Sequence, residues 1–298
     1  MSFSSIPRPR HRPPPLSVGD RQLVVGDQTY LMGIINVTPD SFSDGGRFFD
    51  VDDAVDRALQ LVDAGADIID IGGESTRPGA DPVDATEELD RVLPVVERVR
   101  RRSDCWISID TYKAKVAAAA VDAGADIVND VSGLGFDDKM ASTVADRDCG
   151  LVLMHMRDDP KTMQRDIEYD DVVDDIRAFF ERRIHTAEEA GIDADRIIID
   201  PGIGFGKTVD HNYRLIRELA TFGELGHPIL MGTSRKSCIG DVIDRPPDER
   251  VWGTAATVAC SITAGADIVR VHDVAEMRDV VRVAEAVAGM AGPRSPDA

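Results

Sequence analysis

Lysine is scarce in this chain. It occurs only at Lys113, Lys115, Lys139, Lys161, Lys207 and Lys236, so arginine supplies most of the 34 basic residues. Against these stand 54 acidic residues and a formal net charge of -20. That balance speaks against a nucleic-acid partner, because phosphate backbones are held by concentrated positive charge. Cysteine is also sparse: Cys105, Cys149, Cys238 and Cys260 are scattered, with no CxxC pair and no histidine at ligand spacing. They read as reduced thiols of a cytoplasmic protein, without a disulfide framework. No run approaches the roughly 18 to 20 apolar residues a membrane helix needs, and the N-terminus has no apolar signal core. The first core strand is not followed by GxGxxG, so a dinucleotide site in a doubly wound sheet is unsupported. The acid excess suggests, as a hypothesis, a halophilic protein whose self-repulsion is screened by salt. The melting temperature is then expected to rise in molar salt, and a flat or falling trend would count against the idea.

What is present is enough for one large domain: 298 residues, 43% of them hydrophobic. Residues 1–18, rich in Pro and Arg, and residues 291–298 are expected to be disordered tails around a domain spanning 19–290. Residues 23–31 suggest a short hairpin ahead of the first core strand. Beyond it a unit recurs. Val62-Asp63-Ala64-Gly65-Ala66-Asp67-Ile68-Ile69-Asp70 is echoed at 121–129 and again at 263–270, and more loosely at Ala190-Gly191-Ile192. A helical pattern ends each time at a glycine, which can take the left-handed turn, and an apolar strand follows. Strands are expected at 31–36, 67–71, 106–110, 126–129, 151–155, 196–200, 228–232 and 267–271. Helical patterns between them include 51–64, 84–101, 112–123, 138–148, 171–190, 211–222 and 249–264. Eight such alternations imply an α/β fold, a (β/α)8 TIM barrel with a short N-terminal β-hairpin.

A barrel keeps its chemistry where the strands end. Those ends read Asn36, Asp70, Asp110, Asn129-Asp130, His155, Asp200, Ser234-Arg235-Lys236, and Arg270 with His272. Asp110, Asn129 and Asp200 are acceptor-rich and suit a planar heterocycle with an amidine-like donor edge; Lys236 supplies an opposing donor. For Asp110 alone, a helix N-cap is the rival reading. Arg270 and His272 lie on the last strand, next to Asn36 on the first, with Arg77 in reach from the second loop; this group suits a diphosphate, with Asn36 offering a carbonyl oxygen to magnesium. Asp200-Pro201-Gly202-Ile203-Gly204-Phe205-Gly206-Lys207 lacks Walker spacing and reads as a flexible wall faced by Phe205.

Three long segments carry a resemblance: residues 36–46 (Asn-Val-Thr-Pro-Asp-Ser-Phe-Ser-Asp-Gly-Gly), 72–79 (Gly-Gly-Glu-Ser-Thr-Arg-Pro-Gly) and 200–207. Together with Asn129-Asp130-Val131-Ser132-Gly133, Ser234-Arg235-Lys236-Ser237 and Arg270-Val271-His272-Asp273, they resemble the dihydropteroate synthase family. The resemblance implies condensation of (7,8-dihydropterin-6-yl)methyl diphosphate with 4-aminobenzoate in folate synthesis. It places the pterin on Asp110, Asn129, Asp200 and Lys236 with Thr76 nearby, and the diphosphate on Arg270, His272 and Asn36. Mg2+ falls to Asn36, and the aminobenzoate pocket, a sulfonamide target in the family, to Ser237, Phe205 and Pro78. A homodimer is implied as well. Residues 39–46 read as a closing lid, with Asp44 the candidate electrostatic partner of the reactive cation or the amine. A corrinoid-linked methyltetrahydrofolate methyltransferase would share the barrel and a similar pterin site. It would need neither the Pro39–Asp44 loop nor Ser234-Arg235-Lys236-Ser237.

Overall fold

Each recurrence of Ala-Gly-Ala-Asp is a joint between a helix and the strand that follows it. Gly65, Gly124 and Gly265 take φ of +105°, +116° and +117°, a left-handed conformation open to glycine at little cost. The aspartate two residues on then does a job that periodicity does not reveal. Its carboxylate accepts the backbone N–H at the start of a neighbouring strand: Asp67 from Leu31 at 2.8 Å, Asp126 from Ile107 at 2.8 Å, Asp267 from Ile229 at 3.0 Å. The repeat thus ties strand to strand at the floor of the fold.

The computed structural model describes residues 13–38, 51–75, 82–157, 162–164 and 167–290. Strands β1 (Leu16–Val18) and β2 (Arg21–Leu23) form an antiparallel hairpin. The barrel strands are β3 (Tyr30–Asn36), β4 (Ile68–Gly72), β5 (Trp106–Asp110), β6 (Ile127–Asp130), β7 (Gly150–Met154), β8 (Ile197–Asp200), β9 (Leu230–Met231) and β10 (Ile268–Val271). They are parallel, in the order β8-β7-β6-β5-β4-β3-β10-β9, and a parallel bridge between Ile199 and Ile229 brings the two ends together. Around them run α1 (Val51–Asp63), α2 (Ala85–Arg102), α3 (Ala114–Asp122), α4 (Met140–Ala145), α5 (Val172–Glu189), α6 (Val209–Arg217), α7 (Ala220–Gly223), α8 (Ser237–Ile243), α9 (Val251–Ala264) and α10 (Val274–Ala288). The (β/α)8 expectation is met. The pattern expected over 211–222 is two helices, α6 and α7, while α8 and α10 were not foreseen.

The hairpin lies earlier than expected. Its turn is Gly19-Asp20, with Gly19 at φ +54°, and Tyr30-Leu31 instead opens β3. Leu16 and Leu23 are fully buried with Met32, Ile68, Trp106, Ile127, Val152 and Ile198 inside the barrel. Burial of each leucine contributes about 1.5–3 kcal/mol, which is why a segment expected to be disordered through residue 18 is a strand from Leu16. The remainder of both expected tails, residues 1–12 and 291–298, lies outside the described residues.

Alternation along the strands sorts the side chains. Ile69, Ile71, Ile107 and Ile109 pack outward with Val92, Val95, Val96 and Val99 of α2 in one continuous core. The opposite parity points inward, and above the apolar layer of Ile68 and Trp106 it carries Asp70 and Ser108, which are register partners.

Candidate active site

At the C-terminal mouth one cleft is lined by Asp110, Asn129, Val131, Met154, Asp200, Gly202, Ile203, Phe205, Gly232, Lys236 and Arg270. Five of these come from the expected polar set, delivered by five different strand ends. Asp110 is not a helix cap: the N-cap of α3 is Lys113, which makes no side-chain capping bond.

The arrangement is an alternation of charge. Arg270 reaches across the mouth, donating from Nε to Asp70 Oδ2 at 2.6 Å and from Nη2 to Asp110 Oδ2 at 2.7 Å. Asn129 Nδ2 donates to the same Asp70 oxygen at 3.2 Å. Lys236 Nζ lies 4.0 Å from the centre of the Phe205 ring, a cation–π contact. Desolvation pushes the Asp110 and Asp200 carboxyls above their ordinary range, opposed by Arg270 at Asp110 and by the Gly202 N–H and Lys236 at Asp200. It lowers Lys236 to about 8, with Arg270 adding to the fall. The site therefore holds ionisable groups poised near neutrality, a mark of functional clefts.

The 200–207 loop is not the flexible wall expected from its glycines. Asp200 Oδ1 accepts Gly202 N–H at 2.7 Å, and Asn212 Oδ1 accepts Gly204 N–H at 2.7 Å. Lys207 folds back beneath it, its buried Nζ donating to the carbonyls of Gly202 and Phe205 at 2.9 Å each, and sitting 2.9 Å from His155 Nδ1. The glycines serve close packing. A Cβ at Gly202, which has φ +70°, would stand 2.0 Å from the His155 carbonyl oxygen. His155, a strand-end residue, is thereby structural; its ring also meets Phe179 edge-on at 4.8 Å. Asp130 is structural too, accepting from Ser132 Oγ at 2.7 Å and Leu134 N at 2.8 Å.

His272 ends up beside the cleft rather than among its lining residues. Ser234 Oγ accepts the His272 N–H at 3.2 Å and lies 2.9 Å from Nδ1. Desolvation and the Arg270 and Arg235 charges lower its pKa to about 3, so it offers a neutral imidazole N–H and not a charge. Arg235 holds φ +58° while its guanidinium bonds both oxygens of Asp273, which fixes the turn that presents Lys236. Ser237 is the first residue of α8 and is exposed. Asn36 is half-buried at the end of β3, on the strand that pairs with β10. Asp44, Thr76, Arg77, Pro78 and the 39–46 lid lie outside the described residues.

Two features escaped the sequence reading. Asp70 is expected as a strand end, but its pairing with Arg270 is not; the available signal is a single acid inside Ile68-Ile69-Asp70-Ile71. The other is a buried cluster in which Lys113 bonds Glu74 and Glu88, and Tyr112 Oη donates to Glu74 Oε1 at 2.5 Å.

The pterin binding enzyme family profile matches residues 32–272. The chain belongs to that family. Within it, a dihydropteroate synthase of Synechocystis sp. is 49% identical over 276 residues, 92% of this chain and 96% of the relative. Among solved structures, the Yersinia pestis dihydropteroate synthase with a sulfonamide drug complex superposes with a TM-score of 0.88 at 42% identity, covering 92% of this chain and 99% of that one. The Burkholderia cenocepacia dihydropteroate synthase complexed with 7,8-dihydropteroate gives 0.83 at 44% identity, with 93% and 97% covered. Among the described residues no helix is long and apolar enough to cross a membrane.

Proposed function

We infer that the cleft carries out the dihydropteroate synthase reaction, joining 4-aminobenzoate to the methylene carbon of (7,8-dihydropterin-6-yl)methyl diphosphate with loss of diphosphate. The observation that carries this reading is the convergence of Asp110, Asn129, Asp200, Lys236 and Arg270 on one cleft, in a chain of this family.

Asp110, Asn129 and Asp200 accept from the donor edge of the pterin, and Lys236 donates to its opposite side. Diphosphate departure leaves positive charge on the methylene carbon and the ring conjugated to it. Preorganised carboxylates stabilise that charge, while Arg270 and the His272 N–H take up the negative charge that leaves. Phe205 and Ser237 flank the side from which the aromatic amine approaches. That amine is itself the nucleophile, so none of the four free thiols is required. Thr76, Arg77 and Asp44 are assigned to the same site from their motifs.

Asn36 fits a magnesium ion: one neutral oxygen donor at the end of β3, the strand that pairs with the Arg270 strand β10, suits an ion that takes few protein ligands and completes its shell with phosphate oxygens and water. When bound, magnesium supplies charge neutralisation for the leaving diphosphate.

A homodimer is supported by an apolar groove of about 650 Å³ lined by residues of α6, α8 and α9, among them Ile216, Ile239, Val242, Ile243 and Ala264. Trp252, 80% exposed, is on α9. A cytoplasmic location is in keeping with four unpaired cysteines. One preparation tests these readings. Labelled 4-aminobenzoate, pterin diphosphate and magnesium should give dihydropteroate, with turnover lost when any one is omitted. Sedimentation should give twice the 32.3 kDa chain mass. Full turnover without magnesium sinks the metal assignment, and no product under any condition sinks the reaction.

A further inference from the structure

The ion pairs of Arg270 differ in a way that bears on how the two halves of the site communicate. Asp70 is wholly buried at an inward position of β4, and its Oδ2 takes both Arg270 Nε and Asn129 Nδ2. Its other oxygen has no hydrogen-bond partner among the described residues, so Arg270 is the cation closest to a charge with no access to water. Separating such a pair would leave a buried charge uncompensated, and the contact is therefore fixed. Asp110 is placed otherwise. It ends β5, its side chain is 10% exposed, and it lines the cleft with Asn129, Asp200 and Lys236. Its carboxylate is at once the acceptor that a heterocyclic donor edge would use and the partner of Arg270 Nη2.

We propose that the guanidinium of Arg270 is exchanged within the site: Asp70 is a positioning residue that keeps hold of Nε, while a pterin entering the cleft takes Asp110 and frees Nη2 for the anionic group. This rests on the assignment of the cleft to a pterin and a diphosphate. Pterin binding then raises affinity for the anion, and the coupling is reciprocal.

The test is calorimetric titration of the full chain with inorganic diphosphate and magnesium. With saturating 6-hydroxymethyl-7,8-dihydropterin, which lacks the diphosphate, the native chain should bind diphosphate at least about fivefold more tightly, the lower range of allosteric couplings. Asp110→Asn should gain a similar factor with no pterin present, because Nη2 loses its charged anchor. Asp200→Asn changes the other carboxylate of the same cleft, which makes no hydrogen bond to Arg270 among the described residues, and should gain no more than about twofold on the same scale. Asp70→Asn should abolish the pterin-induced gain. Pterin that binds without tightening diphosphate, or equal gains from Asp110→Asn and Asp200→Asn, would overturn the exchange. Coupling that persists in folded Asp70→Asn would overturn the role of Asp70. The Asp110→Asn arm uses no pterin, so it decides the release of Arg270 even if Asp70→Asn fails to fold. Failure of the native chain to bind the pterin would instead strike the assignment of the cleft.

Discussion

Lys236→Ala is expected to lower kcat/KM by about a hundred- to a thousandfold while the barrel stays folded. On the proposed assignment the ammonium contributes to the site in two ways. A charged hydrogen bond to the pterin would contribute roughly 1.5–3 kcal/mol, and its place 4.0 Å from the Phe205 ring centre orders the ring assigned to the aminobenzoate side. A cation–π contact of this kind adds about 0.5–2 kcal/mol, and each 1.36 kcal/mol is about tenfold in rate. Stability should change little, because Lys236 makes no ion pair among the described residues and its pKa is already depressed to about 8 by desolvation and the charge of Arg270. The same depression sets a pH limb. Lys236 is protonated below about pH 8 and loses its charge above it, so kcat/KM should fall on the alkaline side with an apparent pKa near 8. On the acid side it should fall as Asp110 protonates, at a pH above the usual carboxylate range because burial raises that group. Lys236→Arg should move the alkaline limb out of reach even if overall activity drops. Near-native kcat/KM in Lys236→Ala would remove Lys236 from the site.

How much of this could be read from the sequence follows from what kind of information each feature needs. The barrel was legible because its unit is local: helix, left-handed glycine, aspartate and apolar strand recur within one stretch, as at Gly65-Ala66-Asp67 and Gly265-Ala266-Asp267. The cleft residues Asp110, Asn129, Asp200 and Lys236 were legible because a polar group ending an apolar strand is rare without a purpose. The place of the hairpin is ambiguous in sequence because Leu23-Val24-Val25 and Thr29-Tyr30-Leu31 flank Gly26-Asp27 just as convincingly as Leu16 and Leu23 flank Gly19-Asp20. Only the barrel floor, which buries Leu16 and Leu23, decides between them. The rigidity of the 200–207 loop is not legible because two of its partners, Asn212 and His155, reach it only in three dimensions. Asp70 and Arg270, 200 residues apart, pair for the same reason.

Lys113→Met is expected to be the most destabilising single change outside the hydrophobic core. Lys113 is the shared cation of Glu74 and Glu88, whose side chains are 9% and 1% exposed. Removing it leaves two buried carboxylates unpaired, a loss on the order of 3–5 kcal/mol, or a fall in melting temperature of roughly 10 °C for a domain of this size. The pH dependence gives the signature. Burial already holds the Glu88 carboxyl above its ordinary pKa, with Lys113 opposing the rise. Without that opposition the folded-state pKa climbs further above the unfolded one, so the folded variant binds more protons as pH falls and its deficit shrinks toward pH 5. A deficit that grew on acidification, or a Glu88→Gln change that failed to recover part of the lost stability at pH 7, would refute this account. The cluster also bears on catalysis. Glu74 Oε2 accepts the Val83 N–H at 3.2 Å, which joins the two ends of the segment carrying Thr76 and Arg77. Lys113 and Tyr112 hold Glu74 from the other side, the latter through Oη at 2.5 Å. Lys113→Met should therefore raise KM for the pterin diphosphate even at temperatures where the variant is fully folded, whereas a purely structural role would leave KM of the folded fraction unchanged.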